Sequence, residues 1–427
     1  MNKKIFKPAI ILTALGLPLA SCGSGTSGHS TSSGGLIRVE QYCKMGSFEP
    51  SLRQTFILID AKVLKQAKQA TEFAQSNGFI RDLILSFADP KQALASGLSA
   101  PRERISVLLV PSDGSPAQPI FSGCIPGLSQ DEEAAARQNS SSMGEFFTGD
   151  PLEQLNEDAK QFQLGLIGAL TEAAKKGARE IEPQLGPIAA TSLFSAIKAS
   201  RGVLEVPKGM IPRFVIVSDL SAATFENTDS KDTPYKQGQD AGFKAGGDFG
   251  LSEVSVIQPK GTFVKGKEYL EGFLLAQGGQ LTSISVGRPI AAGRAPTQVF
   301  FFEGSAAYPS RTQNIKLRIA GDSKGTLTSS WLTILGGENQ PIPMSGQITC
   351  TSSKMCTVLS DDKGFSQAWA DRRTADPQFS NDLPFGGMRN FRLTIEGSIL
   401  KGDVSDPMVQ LGDDPSKNSI AVKAIVR

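Results

Sequence analysis

The pattern of apolar residues changes once along the chain, near residue 288. Before that point, short apolar runs at residues 55–60, 104–110 and 213–219 alternate with helical stripes such as the one at 152–173. This alternation predicts a doubly wound α/β sheet with helices on both faces. Beyond residue 288, strand-like segments are separated only by turn residues, which predicts an antiparallel β-sandwich or small barrel.

The length of the chain, 427 residues, is enough for two or three domains. Composition and pattern together predict four segments. These are an export signal at 1–21, a Gly/Ser tether at 22–35, an α/β domain at 36–287 and a β-rich domain at 288–427. A Gly/Ser coil of the tether's length reaches about 20 Å, so it would hold the folded domains just off a membrane.

The first 22 residues have the layout of a secretory signal. Three lysines precede an apolar run at 9–20, and the run ends in the sequence Leu-Ala-Ser-Cys at 19–22. This ending resembles the lipobox of bacterial lipoproteins. The resemblance implies that Cys22 carries covalent lipid, including an acyl chain such as palmitate, and that the protein is anchored to a membrane. Because Gly23 rather than Asp follows Cys22, it implies the outer membrane, or the outer face of the plasma membrane in a host without one.

The other four cysteines form an even set, which in an exported protein points to disulfides. Cys350 and Cys356 flank a predicted hairpin turn, so we expect them to bridge its two strands. Cys43 and Cys124 are then left to pair with each other. Four cysteines allow three pairings, and this choice rests on proximity in the sequence.

Histidine is nearly absent, and this excludes several kinds of site. The one histidine, His29, lies in the Gly/Ser tether, so a Ser-His-Asp or Cys-His site and a His-ligated zinc site are excluded. The chain has 44 basic and 42 acidic side chains, which gives no reason to expect a nucleic-acid partner.

Three places in the α/β segment resemble a von Willebrand factor A-type (vWA) domain. They are residues 57–60, 191–197 and 215–219. The resemblance implies a Rossmann-like sheet whose carboxyl edge presents Asp60, Thr191 and Asp219, the residues that would hold a divalent ion. In that family the ion's coordination is completed by a carboxylate of a partner protein.

The two serine positions of the family's metal motif are occupied here by Lys62 and Leu64. Lysine offers only hydrogen-bond donors, and its ammonium group would supply the positive charge that a metal brings. We therefore expect no cofactor and a degenerate metal site. The candidate partner-binding face consists of Asp60, Lys62, Thr191 and Asp219.

Two catalytic motifs are also present in incomplete form. Residues 261–267 fit the phosphate-loop pattern, but Glu268 follows where a Ser or Thr should contact Mg²⁺. Residues 195–198 fit the S-x-x-K pattern of penicillin-recognising enzymes, in which Lys198 would activate Ser195.

The expected function is non-catalytic protein–protein binding or scaffolding in the cell envelope, with a membrane contact through the lipid. The alternatives are a serine hydrolase or acyltransferase of the S-x-x-K type, and small-ligand binding in the interior of the β-domain.

Overall fold

The computed structural model describes both predicted domains but not the N-terminal 35 residues, so the predicted signal, Cys22 and the tether lie outside it. The described residues are 36–44, 48–61, 63, 83, 86–87, 89, 93, 96, 98–111, 115–140, 151–180, 190–200, 202, 204, 206–207, 209–218, 220, 232–258, 267–287, 294–307, 312–335, 340–352, 354–361, 390–405 and 419–426. Within these residues, no helix is both long and apolar enough to cross a membrane.

The α/β segment forms a seven-stranded sheet in the order β1-β4-β3-β2-β5-β6-β7. The strands are β1 (Ile37–Val39), β2 (Arg53–Asp60), β3 (Arg104–Val110), β4 (Gln118–Cys124), β5 (Ile211–Val217), β6 (Ser252–Gln258) and β7 (Gly279–Val286). From β3 to β7 neighbouring strands are parallel, whereas β3 and β4 form an antiparallel hairpin. The sheet is therefore mixed, with a parallel centre.

Helices cover both faces of this sheet. Those that the structure describes along their length are α1 (Gln130–Ser140), α2 (Pro151–Glu180), α3 (Ala190–Ala199), α4 (Pro234–Ala245) and α5 (Lys267–Ala276). Along β2, Ile57 and Ile59 belong to the apolar cluster that contains the inner face of α2, whereas Phe56 and Leu58 belong to the cluster of α3 and α5. Because both faces are covered, every residue of β2 is buried.

Helix α1 forms in a polar stretch of the chain. The helix begins with a capping box: the Ser129 hydroxyl accepts from the Glu132 backbone N–H (3.2 Å), and the Glu132 carboxylate accepts from the Ser129 N–H (2.7 Å). The Ser-x-x-Glu signal was present in the sequence, but the helix has no apolar stripe to reveal it.

The second segment forms a nine-stranded antiparallel sheet in the order β11-β10-β9-β8-β16-β15-β14-β13-β12. The strands are β8 (Gln298–Ala307), β9 (Thr312–Gly321), β10 (Ser330–Leu335), β11 (Gln340–Met344), β12 (Gly346–Ser352), β13 (Met355–Ser360), β14 (Asn390–Glu396), β15 (Ile399–Ser405) and β16 (Ser419–Val426). Only Ser345 separates β11 from β12, so the two edges of the sheet meet and the sheet curves round on itself. The predicted order of an α/β sheet followed by antiparallel β-structure is confirmed at this level.

Both predicted disulfides are present. Cys43 pairs with Cys124, 81 residues later, and ties the turn after β1 to the end of β4. Cys350 pairs with Cys356, six residues later, directly across the β12–β13 hairpin. The first bridge thus closes a long loop of the chain and the second a short one.

Candidate functional site

Strand β2 lies where the strand order of the first sheet reverses. The chain passes from β2 to β3 and β4 on one side and later returns to β5 on the other. In open α/β sheets, ligands bind at such a switch point, outside the carboxyl ends of the strands. Asp60 is the last residue of β2, and Ser218 directly follows β5. The parallel register of β2 and β5 therefore places these two residues side by side.

Asp60 and Ser218 are joined by a hydrogen bond. The Ser218 hydroxyl donates to Asp60 Oδ2 at 2.8 Å, and the backbone N–H of Leu220 donates to the same hydroxyl oxygen at 3.1 Å. Leu220 has a left-handed backbone with φ of 49°, which costs about 1–2 kcal/mol for a side chain of this type. Asp60 is only 9% exposed. The carboxylate is thus held in place by the chain that leaves β5.

The residues predicted for this edge are only partly described. Thr191 is the second residue of α3, and its side chain lies outside the description, as do Lys62 and Asp219. Among the described residues, no group of three or more His, Cys, Asp or Glu side chains lies close enough to hold a metal ion. Ser218 was not predicted as a site residue, although its position directly after a buried strand was a signal for it.

The S-x-x-K pair is not arranged for catalysis. Lys198 directs its ammonium group to the backbone carbonyl of Ala245, at the end of α4. Ser195 is exposed on α3, and no hydrogen bond joins the two side chains. Lys198 therefore interacts with the carboxyl end of a neighbouring helix, where cations are stabilised, and does not serve as a base for Ser195.

Two further sequence-based alternatives were a phosphate loop at residues 261–267 and a ligand site inside the β-domain. Most of residues 261–267 lie outside the described part of the chain; Lys267 begins α5 and pairs with Glu271 at 3.6 Å. The interior of the curved β-sheet, considered as a place for a ligand, is filled by the apolar side chains of its own strands, including Phe302, Leu317 and Leu393.

The opposite, amino-terminal edge of the first sheet holds a buried charge cluster that the sequence analysis missed. Arg53 contacts Glu103 through two hydrogen bonds, of 3.1 and 2.9 Å, and Arg213 Nη2 lies 3.4 Å from the same carboxylate. Thr55 donates to Glu103 and accepts from Arg213 Nε (2.9 Å). Burial by itself would raise the pKa of Glu103, but Arg53 and Arg213 outweigh it and hold that pKa below its usual value.

Arg213 is fully buried, and burial, together with the charge of Arg53, lowers its pKa to about 10. It therefore remains charged at neutral pH, and the cluster is an ion network rather than a neutral hydrogen-bonded one. A single signal in the sequence pointed to it: Arg53 and Arg213 each stand near the start of an apolar strand. Their proximity depends on the pairing of β2 with β5.

This row of charges continues to the second sheet. Glu253 on β6 lies next to Arg213 in register, and its carboxylate accepts from the Thr328 hydroxyl (3.0 Å) and the Ser329 N–H (3.1 Å). In the reverse direction, Arg318 on β9 donates to the backbone carbonyls of Gly250 (3.2 Å) and Leu251. The two segments are thus joined by hydrogen bonds from buried charged groups.

Neither a protein-family profile nor a curated protein sequence matches the chain. Among solved structures, proximal thread matrix protein 1 from the mussel byssus is similar over 56% of this chain, with 12% identity and a TM-score of 0.23. The human COPII-coat protein Sec24c is similar over 91% of this chain, with 10% identity and a TM-score of 0.26. The chain spans less than half the length of either protein, 44% and 45% respectively. Similarity at this level assigns no function.

Proposed function

We propose that the protein is a lipid-anchored cell-envelope protein that binds a protein partner without catalysis, through the carboxyl edge of a vWA-like sheet. The observation that supports this most is the switch point, where Asp60 and Ser218 from two adjacent strands meet. The strand order from β4 to β7 follows the classical doubly wound arrangement, with β4 antiparallel to its neighbour β3 and with β1 added outside it. That order agrees with the resemblance drawn from residues 57–60, 191–197 and 215–219.

Binding through this edge requires accessible side chains beside Asp60. Gln118 begins the antiparallel strand β4 and Val286 ends β7, so both lie at the carboxyl edge of the parallel strands. Gln118 is exposed, and Val286 is 43% exposed. They flank the switch point from its two sides, and a partner bound across it would contact both.

The partner site is tested by placing a photo-crosslinking amino acid at Gln118 or at Val286 in cells that produce the full chain. We expect both positions to give one and the same crosslinked product. The matched control is Leu359 on β13, which is 41% exposed and lies on the other sheet. Equal crosslinking from Leu359, or no product from either edge position, would overturn the proposal for this face.

The lipid anchor is tested separately through Cys22. The Cys22→Ser variant loses the thiol to which a lipid would be attached, so we expect it to leave the membrane fraction, while the parent chain stays there and gains the mass of covalent acyl groups. Membrane association that is unchanged in Cys22→Ser would contradict the anchor and leave the proposal for the sheet edge standing.

A further inference from the structure

A cleft of about 820 Å³ lies between the two segments, on a different surface from the switch point. One wall comes from the chain that leads into β5 and β6, and the other from the outer face of β8 and β9. Small-molecule sites prefer the junctions between structural units, and their volumes fall at about 300–1,000 Å³. In position and size, the cleft matches a site for a small molecule.

The walls of the cleft are largely apolar. Leu204, Val206 and Met210 line the first wall, and Phe214 and Phe249 form its base. The opposite wall carries Phe301, whose neighbours Phe300 and Phe302 face the interior of the curved sheet. Phe301 is turned outward and is 36% exposed. An aromatic ring presented in this way offers a flat apolar surface to a bound molecule.

The charged groups of the cleft balance each other. Among the described residues that line it, two are acids, Asp248 and Glu303, and two are bases, Lys316 and Arg318. Lys316 pairs with Glu303 at 3.3 Å, and Asp248 Oδ1 accepts from the Gly250 N–H at 2.7 Å. An ionic ligand would have to break these contacts or remain unpaired itself. A ligand without charge meets neither cost.

Arg318 fixes the base of the cleft and the distance between its walls. Its guanidinium donates to three backbone carbonyls, those of Ser329 on its own sheet (2.8 Å) and of Gly250 and Leu251 on the other. Burial lowers the pKa of Arg318 to about 9, so it keeps its charge at neutral pH. Because each of its three nitrogens donates to a backbone carbonyl and the side chain is buried, Arg318 acts as a support for the cleft.

We propose that this cleft binds an uncharged, largely apolar small molecule, held by Phe301 on one side and by Val206 and Met210 on the other. The Lys316–Glu303 pair at its side can offer one donor and one acceptor to a hydroxyl or carbonyl group of such a ligand. The proposal is independent of the partner site at Asp60.

The test uses two fluorescent probes with the same aromatic body. N-phenyl-1-naphthylamine is uncharged, and 8-anilino-1-naphthalenesulfonate carries a sulfonate. The chain contains two tryptophans, so Trp369→Phe leaves only Trp331. Trp331 lies on β10 and pairs in register with Arg318 on β9. With Cys22→Ser added for purification without detergent, we expect the uncharged probe to bind at one site and to accept energy from Trp331. The sulfonate should bind at least about tenfold more weakly, because its charge would be desolvated without a partner.

Two variants and one control locate the probe. Phe301→Ala should weaken binding of the uncharged probe about tenfold through loss of ring contact, and Val206→Phe should weaken it by filling the cleft. Leu359→Ala removes a similarly exposed apolar side chain elsewhere and should leave binding unchanged. Equal weakening by Leu359→Ala, tighter binding of the sulfonate, or unchanged binding in both cleft variants would overturn the proposal. If Phe301→Ala fails to fold, Val206→Phe decides, since it adds atoms at a half-buried position.

Discussion

The two sheets bury their apolar residues in different ways, and this difference determines which surfaces of each sheet remain accessible. The first sheet, which is parallel at its centre, is covered by helices on both faces. Its central strand β2 is therefore buried throughout, and the polar side chains that a ligand could reach lie at the strand ends. The antiparallel sheet curves until its edges meet and fills its interior with its own side chains. Its outer face is left for contact with the first sheet and for the cleft.

The ends of the parallel sheet also differ from each other. The amino-terminal edge holds Arg53, Glu103 and Arg213 in a fully buried ion network. At the carboxyl edge, the described residues include Asp60, whose carboxylate accepts a hydrogen bond from the Ser218 hydroxyl. We interpret the buried network as structural and propose the carboxyl edge as the face that binds a partner.

The largest difference between the two segments should come from their disulfides. Chain entropy predicts that the Cys43–Cys124 bridge, with an 81-residue separation, stabilises the fold by about 4.5 kcal/mol, and the six-residue Cys350–Cys356 bridge by about 2 kcal/mol. Denaturant unfolding of the two double Cys→Ser variants measures both values. A larger loss from the hairpin bridge would contradict this ranking of the two segments.

The next largest effect concerns the buried ion network. Glu103→Gln removes the carboxylate that contacts both buried arginines, Arg53 and Arg213, and it should cost about 3 kcal/mol, at the lower end for broken buried pairs because glutamine still accepts a hydrogen bond. The matched control is Glu396→Gln, which breaks the exposed pair with Lys401 and should cost no more than about 0.5 kcal/mol. Similar losses in the two variants would mean that the network contributes no more than a surface pair.

The stability lost in Glu103→Gln should depend on pH. The pKa of Glu103 is lower in the folded than in the unfolded state, so its pairing stabilises the fold at pH values above its unfolded pKa, about 4.3. This stabilisation is lost as the pH falls through the folded pKa. The stability difference between the parent chain and Glu103→Gln should therefore shrink below about pH 4.3. A difference that grew on acidification would contradict the direction of the shift.

A smaller effect is expected at the junction of the two sheets. Arg318→Met removes three hydrogen bonds to backbone carbonyls and should cost about 2 kcal/mol. If this contact couples the two segments, we expect the unfolding transitions by Trp331 fluorescence and by far-ultraviolet circular dichroism to coincide for the parent chain and to separate in the variant. Coincident transitions in both proteins would indicate that the coupling lies elsewhere.

The elements that the sequence predicts have apolar patterns within a short stretch of the chain, whereas the features it misses depend on prolines or on contacts between distant residues. β3 and α2 have clear periodic patterns, and both lie where the sequence predicts them. β11 carries Pro341 and Pro343, which hide its strand character but are tolerated because it lies at an edge of the sheet. The contacts of Arg213 and Arg318 depend on residues more than 60 positions away, so no local pattern could reveal them.

We propose that the edge around Asp60 binds its partner with the chain's own side chains and without a divalent ion. Calorimetric titration of the purified chain with Mn²⁺ and with Mg²⁺ tests it most directly, with Asp60→Asn as the matched variant. Because the Ser218 hydroxyl already donates to Asp60 and a lysine stands at residue 62, we expect no sub-millimolar binding in either protein. A one-to-one isotherm for the parent chain that disappears in Asp60→Asn would contradict the claim.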